Sequence, residues 1–491
     1  MKLFFAFLLV LLFLAACGRG GNNETPDTDD APVIAQPNGP SGDAPMLGVA
    51  APTDPTIHHE ALPIPLPAPP VPYTSMVSMA SQVLFAPQFS WAADFSHGMA
   101  AVLDEEGGVG IVGDAGEFVL PTIHSSVSPF FDGVAFVMRR GQDFSVAVDH
   151  TGQELFYLPP GMQVAAVNLD APCEEGLFRT NQQIPGTGRL HMGMMDSAGW
   201  TVIENRFEML DSFRSGRARA RYNGLWGFID IHGNFVIEPQ FTAALDFANG
   251  VAIVEYGTGF ERRLHSIDIY GNTVNEMSRG HQIARSLFTD GLLQFYTGAG
   301  AGFVNSLGEV IIPAMLRDPG VFSEGLLRAR MMTDLNVGFV DTTGYWVVPP
   351  QFADARDFSN GRAAVARYDA QGRLRWGFID TAGEVVIYPS FGWVGDFHEG
   401  FAVANRDAAV YHPAPDSAMW QTWFSPPFTV GGTYILIDRW GREVLDLSQF
   451  QRVGIVSEGI LAVNEGWRLG GTTQSRYLAD GGLWGYIKLV E

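Results

Sequence analysis

Seven aspartates and one asparagine each end a short apolar run and stand three residues before a glycine: Asp149, Asp196, Asp230, Asp268, Asn305, Asp341, Asp380 and Asp438. A row of carboxylates invites a calcium reading, but a Ca²⁺ loop gathers several oxygen ligands at one site. Each of these segments offers only one. The spacing suits a tight turn better: the carboxylate accepts backbone N–H groups two residues on, and the glycine supplies a positive φ. Glycoside chemistry needs two carboxylates side by side with displaced pKa values, and evenly repeated aspartates do not announce such a pair.

Other residue groups carry weaker chemistry. "RSGRARAR" (214–221) sets Arg217, Arg219 and Arg221 at strand period on one face. Such a stripe binds an anionic glycan or phosphate, or else pairs with local carboxylates. "HMGMMD" (191–196) offers His191, Met192, Met194 and Met195, soft donors for copper. Methionine on a strand apolar on both faces is ordinarily core filler, and no metal or other cofactor is expected. The eleven histidines are scattered, and only His58 and His59 fall within four residues of each other. No nucleophile elbow, H-E-x-x-H, P-loop or paired-cysteine zinc pattern is present.

The segment "RDAAVYHPAPDSAMWQTWFSPPFTVGG" (406–432) is the richest in binding residues. It carries Tyr411, Trp420, Trp423, Phe424 and Phe428 within a short span. Aromatic rings that close together suit stacking on sugars or anchoring a partner protein. Folded back, they would instead form a small apolar lid.

The bulk composition narrows the partners. The chain has 491 residues, 46% hydrophobic, with 53 Asp+Glu against 30 Lys+Arg. A net charge of −23 repels phosphate backbones, so nucleic acid is not an expected partner. Lys2 and the apolar run Leu3–Leu14, too short to span a bilayer comfortably, read as a secretion signal. "LAACG" (14–18) resembles the lipobox of bacterial lipoproteins. That resemblance implies cleavage before Cys17 and acylation of its sulfur, so residues 1–17 are read as signal peptide plus lipidation site. The other cysteine, Cys173, is then a small buried hydrophobe. Residues 18–80 are rich in Pro, Gly and Asp with little periodic apolar pattern, and read as a disordered, semi-extended tether.

Residues 81–491 are organised by repetition. "LWGFIDIHGNFVIEPQF" (225–241) returns as "RWGFIDTAGEVVIYPSF" (375–391). A second anchor, F-x-x-G, recurs at Phe95, Phe130, Phe213, Phe247, Phe288, Phe322, Phe358 and Phe397, with degenerate copies at Cys173 and Val456. With Gly113/Gly116 as a variant of the aspartate turn and "GYIK" (485–488) as its truncated last copy, both anchors give ten units, spaced about forty residues apart. The interval holding 406–432 runs about twenty residues longer, and insertions in repeat arrays emerge on one face. Each unit contains four short apolar runs. In "GVAIVEY" (250–256) both alternate faces are apolar, so each small sheet must be covered on both sides.

The chain is similar to the WG-repeat family of bacterial proteins on "LWGFID" (225–230), "RWGFID" (375–380), "LWGYI" (483–487) and the downstream "VIEPQF", "VVPPQF" and "VVIYPSF". Units carrying Val109, Met192, Ala301 or Val337 in place of tryptophan depart from the pattern. The resemblance implies a β-repeat fold and a cell-envelope or interaction role, and transfers no catalytic residue.

The expected fold is all-β: about ten tandem units of short antiparallel strands, propeller-like, with an open solenoid or superhelix as the alternative. "VLFAPQF" (83–89) matches a fourth strand, and the final "LWGYIKLVE" stops after a third. A ring sealed by one strand across its ends would read this way. The expected function is an extracytoplasmic, membrane-anchored lipoprotein presenting a platform to an envelope protein or cell-wall glycan. Its binding residues would be Tyr411, Trp420, Trp423 and Phe424, with Arg217, Arg219 and Arg221. A glycan-acting hydrolase or lyase on the same scaffold is the alternative.

Overall fold

The computed structural model describes residues 79–490, apart from 129, 131–132, 143, 165–175, 184–187, 259–260, 278–281, 284–287, 408, 412–427 and 470–478. The signal, residues 18–78 of the tether and Cys173 therefore lie outside the described residues, while Ala80 opens the first strand. Regular structure among the described residues is almost entirely β-strand, and neighbouring strands pair antiparallel. The strands group into ten units. Unit 4 shows the plan: Met209–Leu210, Ala218–Tyr222, Leu225–Ile229 and Phe235–Phe241, hydrogen-bonded in that order. In two places, at Phe118–Val127 and Val310–Arg317, a fourth strand also pairs with the second strand of the next unit, giving seven-stranded sheets.

Local chemistry fixes each element. The first and second strands of unit 4 meet at Ser215 and Gly216, both with positive φ (53° and 69°). Two left-handed residues in succession make the type I′ turn that matches strand twist. The same pair occurs at His97–Gly98, Asn249–Gly250, Glu324–Gly325, Asn360–Gly361 and Glu399–Gly400, among others. At the third-to-fourth turn, Gly233 N donates to Asp230 O at 2.9 Å and Gly233 has φ 83°. This is a type I turn followed by a left-handed glycine bulge.

The glycine of the Trp-Gly dipeptide has a different reason to exist. Its φ is not positive. Opposite it, the fourth strand carries extra residues: Trp376 pairs with Phe391 but Phe378 with Ile387. That bulge folds backbone over Gly377, where a Cβ would stand 2.3 Å from Ile387 O and 2.6 Å from Pro389 N. Gly227, Gly338 and Gly485 meet their fourth strands in the same way. The bulge also explains the recurrent proline, which no regular interior strand position would accept.

Packing follows from the two apolar faces. Among the described residues ten buried clusters form, and each joins one unit to the next. The third-strand aromatic of one unit meets the F-x-x-G phenylalanine of its successor edge-on. The ring centroids lie 4.7 Å apart for Phe228–Phe247, 5.2 Å for Phe303–Phe322, 5.0 Å for Phe339–Phe358 and 4.7 Å for Phe378–Phe397. Such pairs contribute about 1 kcal/mol beyond area burial.

The first strand of the array belongs to the last unit. Ala80–Phe89 pairs with Ala479–Val490, with Val83 opposite Ile487 and Phe85 opposite Tyr486. The tenth cluster then packs Phe85, Ile460 and Tyr486 of that unit against Phe95, Ala100 and Val102 of unit 1. Tyr486 meets Phe95 edge-on at 5.0 Å, as at the internal joints. Among the described residues the last unit thus meets the first through the same kind of interface that joins successive units.

Candidate functional site

The eight turn residues singled out by spacing behave as caps. In every one, Oδ1 accepts the backbone N–H groups two and four residues on; Asp230 takes those of His232 (3.0 Å) and Asn234 (2.9 Å). Asp369 caps a further loop identically. Hydrogen bonds hold several of these carboxyls below the usual range: the Thr151 hydroxyl on Asp149, the Asn272 amide on Asp268. Among the described residues no three His, Cys, Asp or Glu side chains gather as a metal centre. Met194 and Met195 are buried in separate clusters on opposite faces of their strand.

Both hairpin turns of a unit lie on the same side of the array, because they sit at the same end of an antiparallel sheet. Contacts between such turns follow, within a unit and between neighbours: Asp114 N donates to Gly98 O, and Arg217 Nε of unit 4 to Ile269 O of unit 5. The first-to-second-strand turns form a relay that sequence reasoning missed. The residue before the turn glycine reaches the backbone of its neighbour's turn. Asp290 accepts from Gly325 N (2.9 Å), Glu324 from Gly361 N, Asn360 from Gly400 N and Glu399 from Gly459 N (2.9 Å). Glu458 carries the relay across the joint of the two chain ends, to His97 N (2.6 Å) and Gly98 N (2.7 Å). Ser323, Ser359 and Ser457 donate to the next unit's Phe358, Phe397 and Phe95 carbonyls. The only sequence signal was the repeated Asn, Asp or Glu before the glycine.

The three arginines of the stripe are engaged locally. Arg219 Nε lies 2.6 Å from Asp211 and 3.0 Å from Asp246, with its guanidinium 5.3 Å from the Trp226 ring centre. Arg221 lies 3.6 Å from Glu208, and Arg217 bonds the carbonyls of Gly216 and Ile269. Arg179 joins Asp211 from the other side at 3.2 Å. A ligand anion at Arg219 must displace a carboxylate. Asp246 is held above the usual carboxylate range, because burial outweighs the attraction of Arg219.

Asp94 occupies the same position before its phenylalanine as Asp246, Asp357 and Asp396. Those three pair with Arg219, Arg328 and Arg356. The place of Arg219 and Arg328 in the preceding unit is here Ala462, so no guanidinium from it faces Asp94. Burial pushes the Asp94 carboxyl up to about 6, against one opposing hydrogen bond from the Ile455 backbone. The folded state therefore prefers the protonated acid. Its contribution is fully present below pH ~4 and is lost as pH rises through 6. The ceiling is about 3 kcal/mol, from 1.36 kcal/mol per pKa unit. Asp94→Asn is expected to raise the melting temperature at pH 8 and to lose that advantage below pH 4. Parallel curves for the two proteins across this range would refute the assignment.

On the opposite side stand the second-to-third-strand connections. The 406–432 insertion joins Phe401–Asn405 to Tyr434–Asp438 and so emerges there. Its base is an antiparallel hairpin, Ala409–Tyr411 with Phe428–Val430. Tyr411 lies in this strand, while Trp420, Trp423 and Phe424 fall outside the described residues. The next unit prolongs the same connection: Ile460–Leu469 and Ala479–Val490 stay paired out to Leu469 opposite Ala479. Two adjacent units are therefore elongated on one side.

The family model described as "WG containing repeat" matches residues 81–106, 192–226, 226–257, 302–331, 338–367 and 376–407. No curated protein matches the sequence. Similar solved structures include a eukaryotic initiation factor (TM-score 0.43, 11% identity, 72% of this chain and 97% of that one). They also include BamB from Moraxella catarrhalis (0.29, 13%, 62% and 98%) and the WD40 domain of SCAP from fission yeast (0.27, 7%, 84% and 97%).

Proposed function

Because this chain belongs to the WG-repeat family, we propose that it is a lipid-anchored protein of the cell envelope whose β array is a non-catalytic platform for a protein or glycan partner. The observation that carries this reading is the placement of the aromatic insertion. It stands on a hairpin base beside the prolonged hairpin of the next unit, on the side of the array from which binding loops can emerge. The carboxylates support it from the other direction, since turn capping and ion pairing already employ most of them. Cys17, preceded by "LAA", supplies the anchor, and 18–80 the tether.

The test is retention on isolated envelope material. Replacing Trp420 and Trp423 together by Ala is expected to reduce retention at least tenfold with an unchanged melting temperature, while Cys17→Ser moves the protein to the soluble fraction. Undiminished retention in the double variant would remove the insertion from consideration. One observation favours the enzymatic alternative: Asp211 and Asp246 share Arg219, and the Asp246 carboxyl is raised. Cleavage of the bound glycan, lost in Asp246→Asn, would establish it instead.

A further inference from the structure

In most units the residue after the glycine of the third-to-fourth-strand turn is polar, as in Gln153, Asn234, Glu384 and Arg442. In units 3 and 7 it is instead an aromatic residue open to solvent, Trp200 at 73% exposure and Tyr345 at 70%. Each is tied to its capping carboxylate. The N–H of Trp200 donates to Asp196 Oδ1 at 2.8 Å, and that of Tyr345 to Asp341 Oδ1 at 3.0 Å. Ring and carboxylate therefore leave one turn side by side. The cap bonds all go to Oδ1, and among the described residues no donor reaches Oδ2 of Asp196 or of Asp341.

The chain itself shows what such a turn holds. In unit 9 the residue after the glycine is Arg442. Its Nε lies 2.6 Å from Asp438 Oδ2, while its guanidinium stands 4.8 Å from the centre of the Trp440 ring on the same turn. The loop capped by Asp369 repeats the ion pair, with Arg373 Nε 2.8 Å from Oδ2. In these turns Oδ1 serves the backbone and Oδ2 takes a guanidinium, with an aromatic face beside it where the turn supplies one. In unit 5 an amide fills the place: Asn272 Nδ2 donates to Asp268 Oδ2 at 2.9 Å, next to the exposed Tyr270. Units 3 and 7 keep the carboxylate but set the ring where the donor stands elsewhere.

We infer that Asp196 with Trp200, and Asp341 with Tyr345, are two docking points for arginine side chains of a basic partner protein, each guanidinium stacked on the ring and paired with the carboxylate Oδ2. Arginine suits them better than lysine, because a guanidinium is planar, stacks on aromatic faces and sheds water more readily than an ammonium. The whole chain complements such a partner. With 53 Asp+Glu against 30 Lys+Arg and a net charge of −23, its field gathers cations and repels an acidic polymer or an anionic lipid surface. These docking points rest on the reading of the array as a binding platform, and they give its partner's chemistry for the turn side, opposite to the insertion.

The experiment is fluorescence anisotropy of labelled octa-arginine and octa-lysine, peptides of equal charge, titrated with the full chain. Octa-arginine is expected to bind about fivefold more tightly, a preference that the overall field cannot create. Replacing Trp200 and Tyr345 together by Ala leaves the net charge unchanged and should abolish the preference. Asp196→Asn with Asp341→Asn should weaken octa-arginine about fivefold. The turns survive that change, because Asn305 already caps its own turn in the same way. Asp230→Asn with Asp380→Asn removes equal charge from other turns, and Tyr270→Ala removes a ring whose carboxylate is filled; neither should alter the preference. The docking points are refuted if the wild-type chain fails to bind octa-arginine or binds both peptides equally. They are refuted too if the aromatic double variant keeps the preference, or if the control pair of aspartates weakens binding as much as Asp196 and Asp341 do. Retardation in dextran that needs Trp200 and Tyr345 would assign the rings to a neutral glycan instead. Envelope retention through Trp420 and Trp423 that survives such a result leaves the platform standing without these points. Octa-arginine preference in a chain that envelope material does not retain leaves the points standing without the platform.

Discussion

Gly377→Ala is expected to destabilise the protein by well over 3 kcal/mol, while Gly361→Ala, a short distance away, costs about 1–2. The contrast tests why the repeat carries two kinds of glycine. A methyl group on Gly377 would meet only backbone: Ile387 O at 2.3 Å, Pro389 N at 2.6 Å and Tyr388 C at 2.7 Å. No rotamer change relieves that contact. Either the bulge around Pro389 opens, with the loss of ladder hydrogen bonds and of Phe391 opposite Trp376, or the third strand moves out of the core that Phe378 fills. Gly361 has φ 74° and open space around the added atom, so its penalty is the left-handed conformation alone. Urea unfolding of both variants decides the matter. Equal losses would mean that the close approach is not what selects glycine beside tryptophan. Because neighbouring units can unfold separately, the transition should be followed by more than one probe.

Tyr486→Ala should cost about 3–5 kcal/mol, as large aromatic deletions from a closed core do. Tyr486 is fully buried where the two ends of the array meet. Its ring packs on Phe85, Phe89 and Phe95, and its hydroxyl donates to Ala93 O at 2.7 Å. Tyr486→Phe keeps the packing and leaves one buried carbonyl short of a donor, a loss of about 1–2 kcal/mol. The Ala variant should also render residues 80–89 cleavable by protease, since their strand is held to its sheet by pairing with Ala479–Val490 alone. An Ala variant as stable and as protease-resistant as the Phe variant would show that the two ends are held elsewhere.

Repetition made much of this legible in the sequence. The F-x-x-G and Asp-x-x-Gly anchors located both hairpin turns of a unit, and two-sided apolar strands announced stacked sheets. The caps at Asp149 to Asp438 followed from side-chain chemistry within five residues, a range over which sequence and structure are tightly tied. Longer-range features were opaque. The clash that selects Gly377 depends on a bulge ten residues away. The relay through Glu324, Glu399 and Glu458 joins residues about forty to sixty apart in sequence, and at the ends Glu458 meets His97. Asp94 lacks a cation only because Ala462 stands where other units have arginine. Of the residues expected to bind, Arg219 and Arg221 pair with carboxylates, and the tryptophans of the insertion lie outside the described residues.

The pairing of Ala80–Phe89 with Ala479–Val490 has a mechanical consequence. Any pull applied at Ala80 arrives not at the first module but at the last, along a strand sewn lengthwise into its sheet. Tension there would therefore have to slide that whole strand past its partner before any module could unravel.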